Sequence, residues 1–150
     1  MNVPHYHLLV NHFPIIGLFF GCAILLYGLL KKQEVAIKIA YVIFIFCMLM
    51  GKISMMTGDR AEHFLENNDR FSHELIEAHE ESAELFMKGM YILGVSSIIG
   101  LYMQSKHHPK SKFLAFTILV LVLVTLFLSQ NVGVTGGIIA HDEIRNSLLK

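Results

Sequence analysis

Histidines collect at the borders of the apolar runs in this 150-residue chain. His5, His7 and His12 stand in the stretch HYHLLVNHFPIIG, directly before the first run, and His79 and His141 border two later ones. A single histidine at such a border can anchor at lipid headgroups, but ionisable groups at membrane depth are rare and usually functional. Because imidazole commonly ligates haem iron and transition metals, these positions predict a bound redox cofactor or metal.

Two pairs of histidines are candidate axial ligands of a haem b. His12 and His79 lie on apolar stripes of their predicted helices and form the first pair. His7 and His141 form the second pair, either as an alternative or around a second haem. Since successive helical residues are rotated by about 100°, His7 and His12 cannot reach one metal from a straight helix. Pro14 changes this expectation, because proline commonly kinks a helix one turn before itself.

The predicted fourth helix ends in LSQNVGVTGGIIAHDEIR, where Gly133, Gly137 and Ala140 recur at helical spacing. A helix face without side-chain bulk indicates either close packing of two membrane helices or room for a flat macrocycle. If the macrocycle is haem, Arg60 and Arg145 at the outer rim would pair with its propionates through charge-assisted hydrogen bonds. The sequence leaves both explanations open.

Carboxylates accompany the histidines, which makes a non-haem metal site the alternative. Glu62, Glu80 and either Asp142 or Glu143 would join these imidazoles in the mixed ligand set that iron, copper, zinc or manganese takes in helical bundles. In the haem hypothesis Glu62 and Glu80 instead orient the imidazole rings as hydrogen-bond acceptors. A third alternative is a cofactor-free subunit of a membrane redox complex, whose acidic outer surface attracts a basic partner.

The elements that must position these residues are four long apolar runs. The chain is 54% hydrophobic and 16% charged, whereas charged residues make up about a quarter of soluble domains. Because about 20 helical residues cross the hydrocarbon core, we predict an all-α, integral membrane four-helix bundle. The predicted single domain covers residues 1–150, with helices at about 4–30, 35–57, 72–104 and 113–141 and an outer loop at 58–71. The first run is too long for a signal peptide and has no basic residue before it.

Lysines mark one side of the predicted bundle. The two short connections carry Lys31, Lys32, Lys106, Lys110 and Lys112, opposed only by Glu34. By the positive-inside rule these connections lie in the cytoplasm. Both termini and the loop 58–71 are then on the outer, periplasmic side, where we expect the histidine site.

The stretch RFSHELIEAHEESAELFMKGM is periodic and predicts how the third helix is oriented. Leu75, His79 and Phe86 share one stripe, and the opposite stripe is charged. We therefore expect this helix to begin near Ser72 and to turn both His79 and Glu80 toward the protein.

Four short motifs resemble those of the bacterial DUF2231 family of four-helix membrane proteins, in the same order. HLLVNHFPI is similar to the family's HPLLVHFPIAL, with His7, His12, Phe13 and Pro14 at matching places. TGDRAE resembles TGEPAE, with Asp59 where the family usually has Glu, HEESA resembles HEExA, and TGGIIAHDEI resembles a GGxIxHxEI ending. The resemblance implies a multi-pass protein of the bacterial inner membrane. Domains of this family also occur joined to Rieske or c-type cytochrome domains, which implies electron transfer.

Together these features predict a membrane-bound b-type cytochrome with bis-histidine ligation near the outer face. It would pass single electrons from a membrane donor such as quinol to an outer partner, a c-type cytochrome or a Rieske protein. We expect an electron carrier more than an enzyme, because the chain has no GxSxG, P-loop or dinucleotide fingerprint. No nucleic-acid partner is expected, and both a monomer and a homo-oligomer are compatible with the sequence.

Overall fold

The computed structural model of the chain consists of four α-helices in its described part. It describes residue 7 and residues 9–66 and 73–141, with the side chains of residues 59–66 and 140 left out. The helices are α1 (His12–Lys31), α2 (Glu34–Glu66), α3 (His73–Ser105) and α4 (Ser111–Ala140). This result confirms the predicted all-α, four-helix architecture.

The helices form a closed up-and-down bundle. Each helix packs against the next one along the chain, and α4 returns to pack against α1. Of these four neighbouring pairs, α1 and α4 share the smallest contact. Lys32 ends α1 in the left-handed conformation, with φ 54°, which allows the short turn into α2. Antiparallel neighbours joined by such short turns place the two termini of the chain at one end of the bundle.

The interior and exterior of the bundle have the distribution of a protein in hydrocarbon. Apolar side chains cover the outside along all four helices; Phe19, for example, is 66% exposed beside the fully buried Leu18. Among the described residues, the buried polar ones are Ser97, Gln104, Thr125 and Ser129. The hydroxyls of Ser97 and Thr125 donate to carbonyls one turn earlier, at Leu93 and Leu121. All four helices are long and apolar enough to cross a membrane, as expected of a multi-pass membrane protein.

Glycines let the first two helices approach closely. A Cβ placed on Gly21 would lie 2.5 Å from Cε1 of Phe44, and one on Gly28 would lie 3.0 Å from the backbone nitrogen of Ile37. Small residues at such contacts allow membrane helices to pack backbone against side chain. These close contacts determine how α1 packs on α2, and therefore also where the segment before α1, with His7, meets α2.

The end of α2 differs from the prediction. We expected the helix to end near residue 57 and a loop to follow at 58–71, but α2 continues through Thr57 and Gly58 to Glu66. Glycine costs about 1 kcal/mol relative to alanine inside a helix. Here Gly58 is in contact with His7, so the missing side chain is used for packing. The third and fourth helices lie within two residues of the predicted bounds.

The start of α1 also differs, because the helix is interrupted near Asn11. His7, Leu9 and Val10 are helical, Asn11 lies in a turn, and the continuous helix begins at His12. Pro14 lacks the N–H group that would bond to the carbonyl of Val10, which explains an interruption at this place. The backbone N–H of Asn11 still donates to the carbonyl of His7 at 2.9 Å.

Candidate functional site

His7 is half-buried and is held by the end of α2. Its Nδ1 lies 3.1 Å from the carbonyl oxygen of Ser54 and 3.3 Å from Oγ1 of Thr57. The hydroxyl of Thr57 itself donates to the Ser54 carbonyl at 2.9 Å. A carbonyl oxygen can only accept a hydrogen bond, so Nδ1 of His7 must carry the proton. In the neutral ring the lone pair is then on Nε2.

His79 is held in the same manner by α4. Its Nδ1 lies 2.9 Å from Oγ1 of Thr135, and the Thr135 hydroxyl donates to the carbonyl of Asn131 at 2.8 Å. When the Thr135 hydroxyl donates its one proton to Asn131, its Oγ1 accepts from Nδ1–H of His79. In this tautomer, as in that of His7, the lone pair of the neutral ring is on Nε2.

Each imidazole also lies against a glycine that directly follows its threonine. A Cβ placed on Gly58 would be 3.2 Å from Cε1 of His7, and one on Gly136 would be 3.1 Å from Cε1 of His79. The hairpins α1–α2 and α3–α4 thus contain the same arrangement. In each, a histidine at the start of the hairpin contacts a Thr-Gly pair on the second helix. The two hairpins together place two similarly oriented imidazoles at one end of the bundle.

The two histidines are close enough to interact with each other. They lie at the same end of the bundle, each held by the second helix of its own hairpin, near enough for an electrostatic interaction between the rings. Both rings are half-buried, so neither is fully exposed to solvent or lipid. The pair that the structure brings together is therefore His7 and His79, one from each hairpin, and not either of the two pairs that we predicted.

The other predicted histidines are placed differently. His12, which we paired with His79, has an exposed side chain. His141, which we paired with His7, is also exposed and ends α4, where its backbone N–H donates to the carbonyl of Gly137 at 3.0 Å. His7 and His12 lie on different faces because five residues of a helix rotate the side chain by about 140°.

The predicted carboxylates and arginines give no ligand set with these histidines. Glu80 was expected to face the protein with His79, but its side chain is exposed. Glu80 lies on the charged side of α3, next to Glu81 and near Glu77. The predictions for Arg60, Glu62, Asp142, Glu143 and Arg145 concern side chains outside the described part of the structure.

Gly133 and Gly137 border open space. A Cβ placed on either glycine would meet no heavy atom of a described residue within 4 Å. Among the described residues, neither Gly133 nor Gly137 therefore packs closely against another helix, which is one of the two explanations that we considered for this face. It is Gly136, on the next face of α4, that lies against a neighbouring helix through His79.

The donor set suits a cofactor that needs two protein ligands. Among the side chains that the structure describes, no three of the types His, Cys, Asp or Glu come together as a metal site. Haem iron takes two axial ligands from the protein, and bis-histidine ligation uses one nitrogen of each ring. Two imidazoles with Nδ1–H committed to hydrogen bonds and a lone pair on Nε2 fit that requirement.

Sequence reasoning missed the residues that hold the imidazoles, which are Ser54, Thr57, Gly58, Thr135 and Gly136. A signal for them is present in the sequence. TGDRAEH and TGGIIAH share the pattern Thr-Gly-x4-His, and each occurs near the end of the second helix of a hairpin. The repeated pattern indicates that the two hairpins are built alike.

Comparisons with known proteins return no match to a family model, to a curated protein or to a solved structure. The resemblance of four motifs to the DUF2231 family therefore stays a prediction. The interpretation of the site depends on its own geometry.

Proposed function

We propose that this chain is a membrane-bound b-type cytochrome in which His7 and His79 would hold one haem b. The observation that supports this proposal is the hydrogen bonding of both rings. Histidines that bind a metal nearly always donate their other ring N–H to a carboxylate, a backbone carbonyl or a water molecule. His7 donates to Ser54 and Thr57, and His79 donates to Thr135.

Haem, when bound, supplies reversible one-electron oxidation and reduction. The chain supplies the groups that hold the rings and adjust their basicity. Ser54 and Thr135 fix the orientation of the two imidazoles and raise the electron density at Nε2 by accepting from Nδ1–H. Since the ligands come from different hairpins, bound haem would also tie α1–α2 to α3–α4 and stabilise the bundle, as any ligand that binds only the folded state does.

The proposal also includes the orientation of the chain and the membrane that it spans. The lysine-rich connections, with Lys31, Lys32 and Lys106, would face the cytoplasm, and His7 and His79 would then lie near the outer face of a bacterial inner membrane. Membership of the DUF2231 family, with electron transfer to an outer partner such as a c-type cytochrome or a Rieske protein, fits this placement. Arg60 and Arg145 would then lie near the propionates.

A visible spectrum of the purified protein, oxidised and reduced, with haem and iron determined on the same sample, tests the proposal. We expect b-type bands on reduction and one haem per chain. His7→Ala and His79→Ala should each abolish haem binding, whereas His108→Ala, in the exposed connection at the opposite end, should keep it. Normal haem content in both His7→Ala and His79→Ala would overturn the proposed ligands.

A non-haem metal site is the second candidate, and the repeated Thr-Gly-x4-His pattern is the observation that favours it. The pattern places His63 and His141 at equivalent positions of the two hairpins, six residues after Thr57 and Thr135. Four imidazoles of this kind would suit zinc, copper or iron. A colourless protein that carries a stoichiometric metal, and loses it in His141→Ala, would support this candidate over haem.

A further inference from the structure

A groove runs along the outside of the bundle between α1 and α4, the neighbouring helices with the smallest contact. Its volume is about 650 Å³, which is within the usual range of small-molecule sites. The walls are lined mostly by aliphatic and aromatic side chains, with Ile15, Ile16, Phe19 and Phe20 on α1 and Leu123, Leu126 and Phe127 on α4. Such walls suit an extended hydrocarbon chain.

The wall of the groove on α4 ends in two polar residues, Ser129 and Gln130. The hydroxyl of Ser129 donates to the carbonyl of Leu126 at 2.7 Å, so its oxygen can still accept a hydrogen bond. Gln130 is exposed, and its carboxamide can both donate and accept. An apolar groove that ends in hydrogen-bonding groups suits an amphipathic ligand with a polar head and an apolar tail.

The neighbouring part of α1 contributes an unsatisfied acceptor. The side-chain oxygen of Asn11 is buried and has no hydrogen-bond partner among the described residues. Asn11 has helical angles, φ −64° and ψ −23°, and precedes the groove residue Ile15 by four positions. Residues four apart lie on the same side of a helix, so Asn11 is one turn beyond the groove wall. An unsatisfied buried oxygen costs free energy that a ligand with an O–H group would recover.

This polar end is next to the imidazole pair. The backbone N–H of Asn11 donates to the carbonyl of His7, and Gln130 is five residues before Thr135, which holds His79. Beyond Gln130 on α4, Gly133 borders open space that no described side chain fills. A polar head bound at this end would therefore lie beside the proposed haem ligands.

We infer that the groove binds a prenylated quinol, with the ring at Asn11, Ser129 and Gln130 and the prenyl tail between α1 and α4. The inference rests on the proposed function, since it names the electron donor of the same site. A phospholipid acyl chain would suit the apolar walls but has no hydroxyl to donate to Asn11. A quinol has two hydroxyls, one for Asn11 and one for the acceptors on α4.

A haem held by His7 and His79 would supply an acceptor for one electron at a time. Oxidation of one quinol to a quinone would therefore need two such haems, and the two protons from its O–H bonds would pass to water at the histidine end. Because each chain is proposed to hold one haem, a quinol reduces two chains, or one chain twice after reoxidation.

The absence of tryptophan from the chain allows a direct test of the groove. Phe127→Trp places a single fluorophore in the groove, and Phe116→Trp places one about three turns further along the same helix, beyond the residues that line the groove. The two phenylalanines are similarly exposed, 66% and 58%. In nanodiscs, quenching of the fluorophore at position 127 should saturate as the decylubiquinone concentration rises. Quenching of the fluorophore at position 116 should only increase in proportion to that concentration.

Decylubiquinol, added without oxygen as a competitor, should restore the fluorescence at position 127. In Asn11→Leu, the concentration of quinol that restores half of the fluorescence should rise about tenfold, because the loss of one hydrogen bond weakens binding by about this factor. Asn131→Leu, a matched change of an exposed asparagine outside the groove, should leave that concentration unchanged.

These readouts separate the groove from the proposed function. Saturable quenching at position 127 in a protein without haem would support the groove and contradict the cytochrome. A haem spectrum together with proportional quenching at both positions would support the cytochrome, and it would overturn the groove, because acyl chains then occupy it.

Discussion

Thr135 connects His79 to the backbone of α4, since its Oγ1 lies 2.9 Å from Nδ1 of His79 and donates to the carbonyl of Asn131 at 2.8 Å. With the hydroxyl proton on the carbonyl of Asn131, His79 donates to Thr135 through Nδ1–H, and the lone pair of the neutral ring is on Nε2. In that tautomer Nε2 is the nitrogen of His79 that can bind a metal.

Thr135→Val removes this acceptor and keeps the shape of the side chain. We expect haem affinity to fall about 10- to 100-fold, because losing the hydrogen bond of a ligating histidine usually has an effect of this size. Thr57→Val should have a smaller effect, since the carbonyl of Ser54 still accepts from His7. Haem titration of the apoprotein measures both affinities.

Thr117→Val is the control for Thr135→Val. The hydroxyl of Thr117 is exposed and donates only within α4, to the carbonyl of Phe113. Its replacement should leave haem affinity unchanged. Equal losses in Thr117→Val and Thr135→Val would show that the effect is a general one on α4 and not one on His79.

Gly136→Val tests the contact between α4 and the imidazole. A Cβ at this position would lie 3.1 Å from Cε1 of His79, so valine must displace the ring. We expect a loss of about 1–3 kcal/mol of haem binding free energy, the usual cost of overpacking. Ala78→Val, at an exposed position next to His79, adds the same branched side chain without this contact and should bind haem normally.

Gly137→Leu tests whether a macrocycle uses the open space beside α4. No described atom lies within 4 Å of a Cβ there, so leucine should not disturb the apoprotein. We expect the variant to lose haem while a compact metal site would keep its ion. Haem and total metal analysis of one sample distinguishes the two. Full haem content in Gly137→Leu would place the macrocycle elsewhere.

Leu25→Ala tests the packing of the bundle without touching the site. Leu25 is fully buried, and its neighbour Leu26 is 44% exposed. Leu25→Ala should lower the free energy of unfolding by about 2–5 kcal/mol, because it leaves a cavity. Leu26→Ala should change it by about 0.5 kcal/mol or less. Unfolding by SDS in mixed micelles gives both values, and similar losses would contradict the burial of Leu25.

The orientation in the membrane is tested by labelling single cysteines. Gln33→Cys and Lys110→Cys lie in the two exposed connections at the lysine-rich end. In a chain with Cys22 and Cys47 replaced by alanine, a maleimide that cannot cross membranes should label neither position in intact cells. Both should react in inverted vesicles. Labelling of either position in intact cells would contradict the proposed topology.

The hydropathy and periodicity of the sequence were sufficient to predict the four helices. Four apolar runs predicted four helices, and the bounds of α3 and α4 agree with the prediction within two residues. The end of α2 was predicted wrongly because Thr57-Gly58-Asp59 has the composition of a helix stop. The contact between Gly58 and His7, 51 residues earlier in the chain, could not be inferred from local sequence.

The sequence by itself determined that four helices long enough to cross a membrane would form, and that histidines would collect at one end. Both follow from local composition, because hydrocarbon requires apolar side chains and an internally bonded backbone. Only the tertiary structure decided which histidines are half-buried and held by a neighbouring helix, namely His7 and His79 and not His12. That outcome depends on which neighbouring helix offers a Thr-Gly pair, because contacts between helices that are distant in sequence decide it.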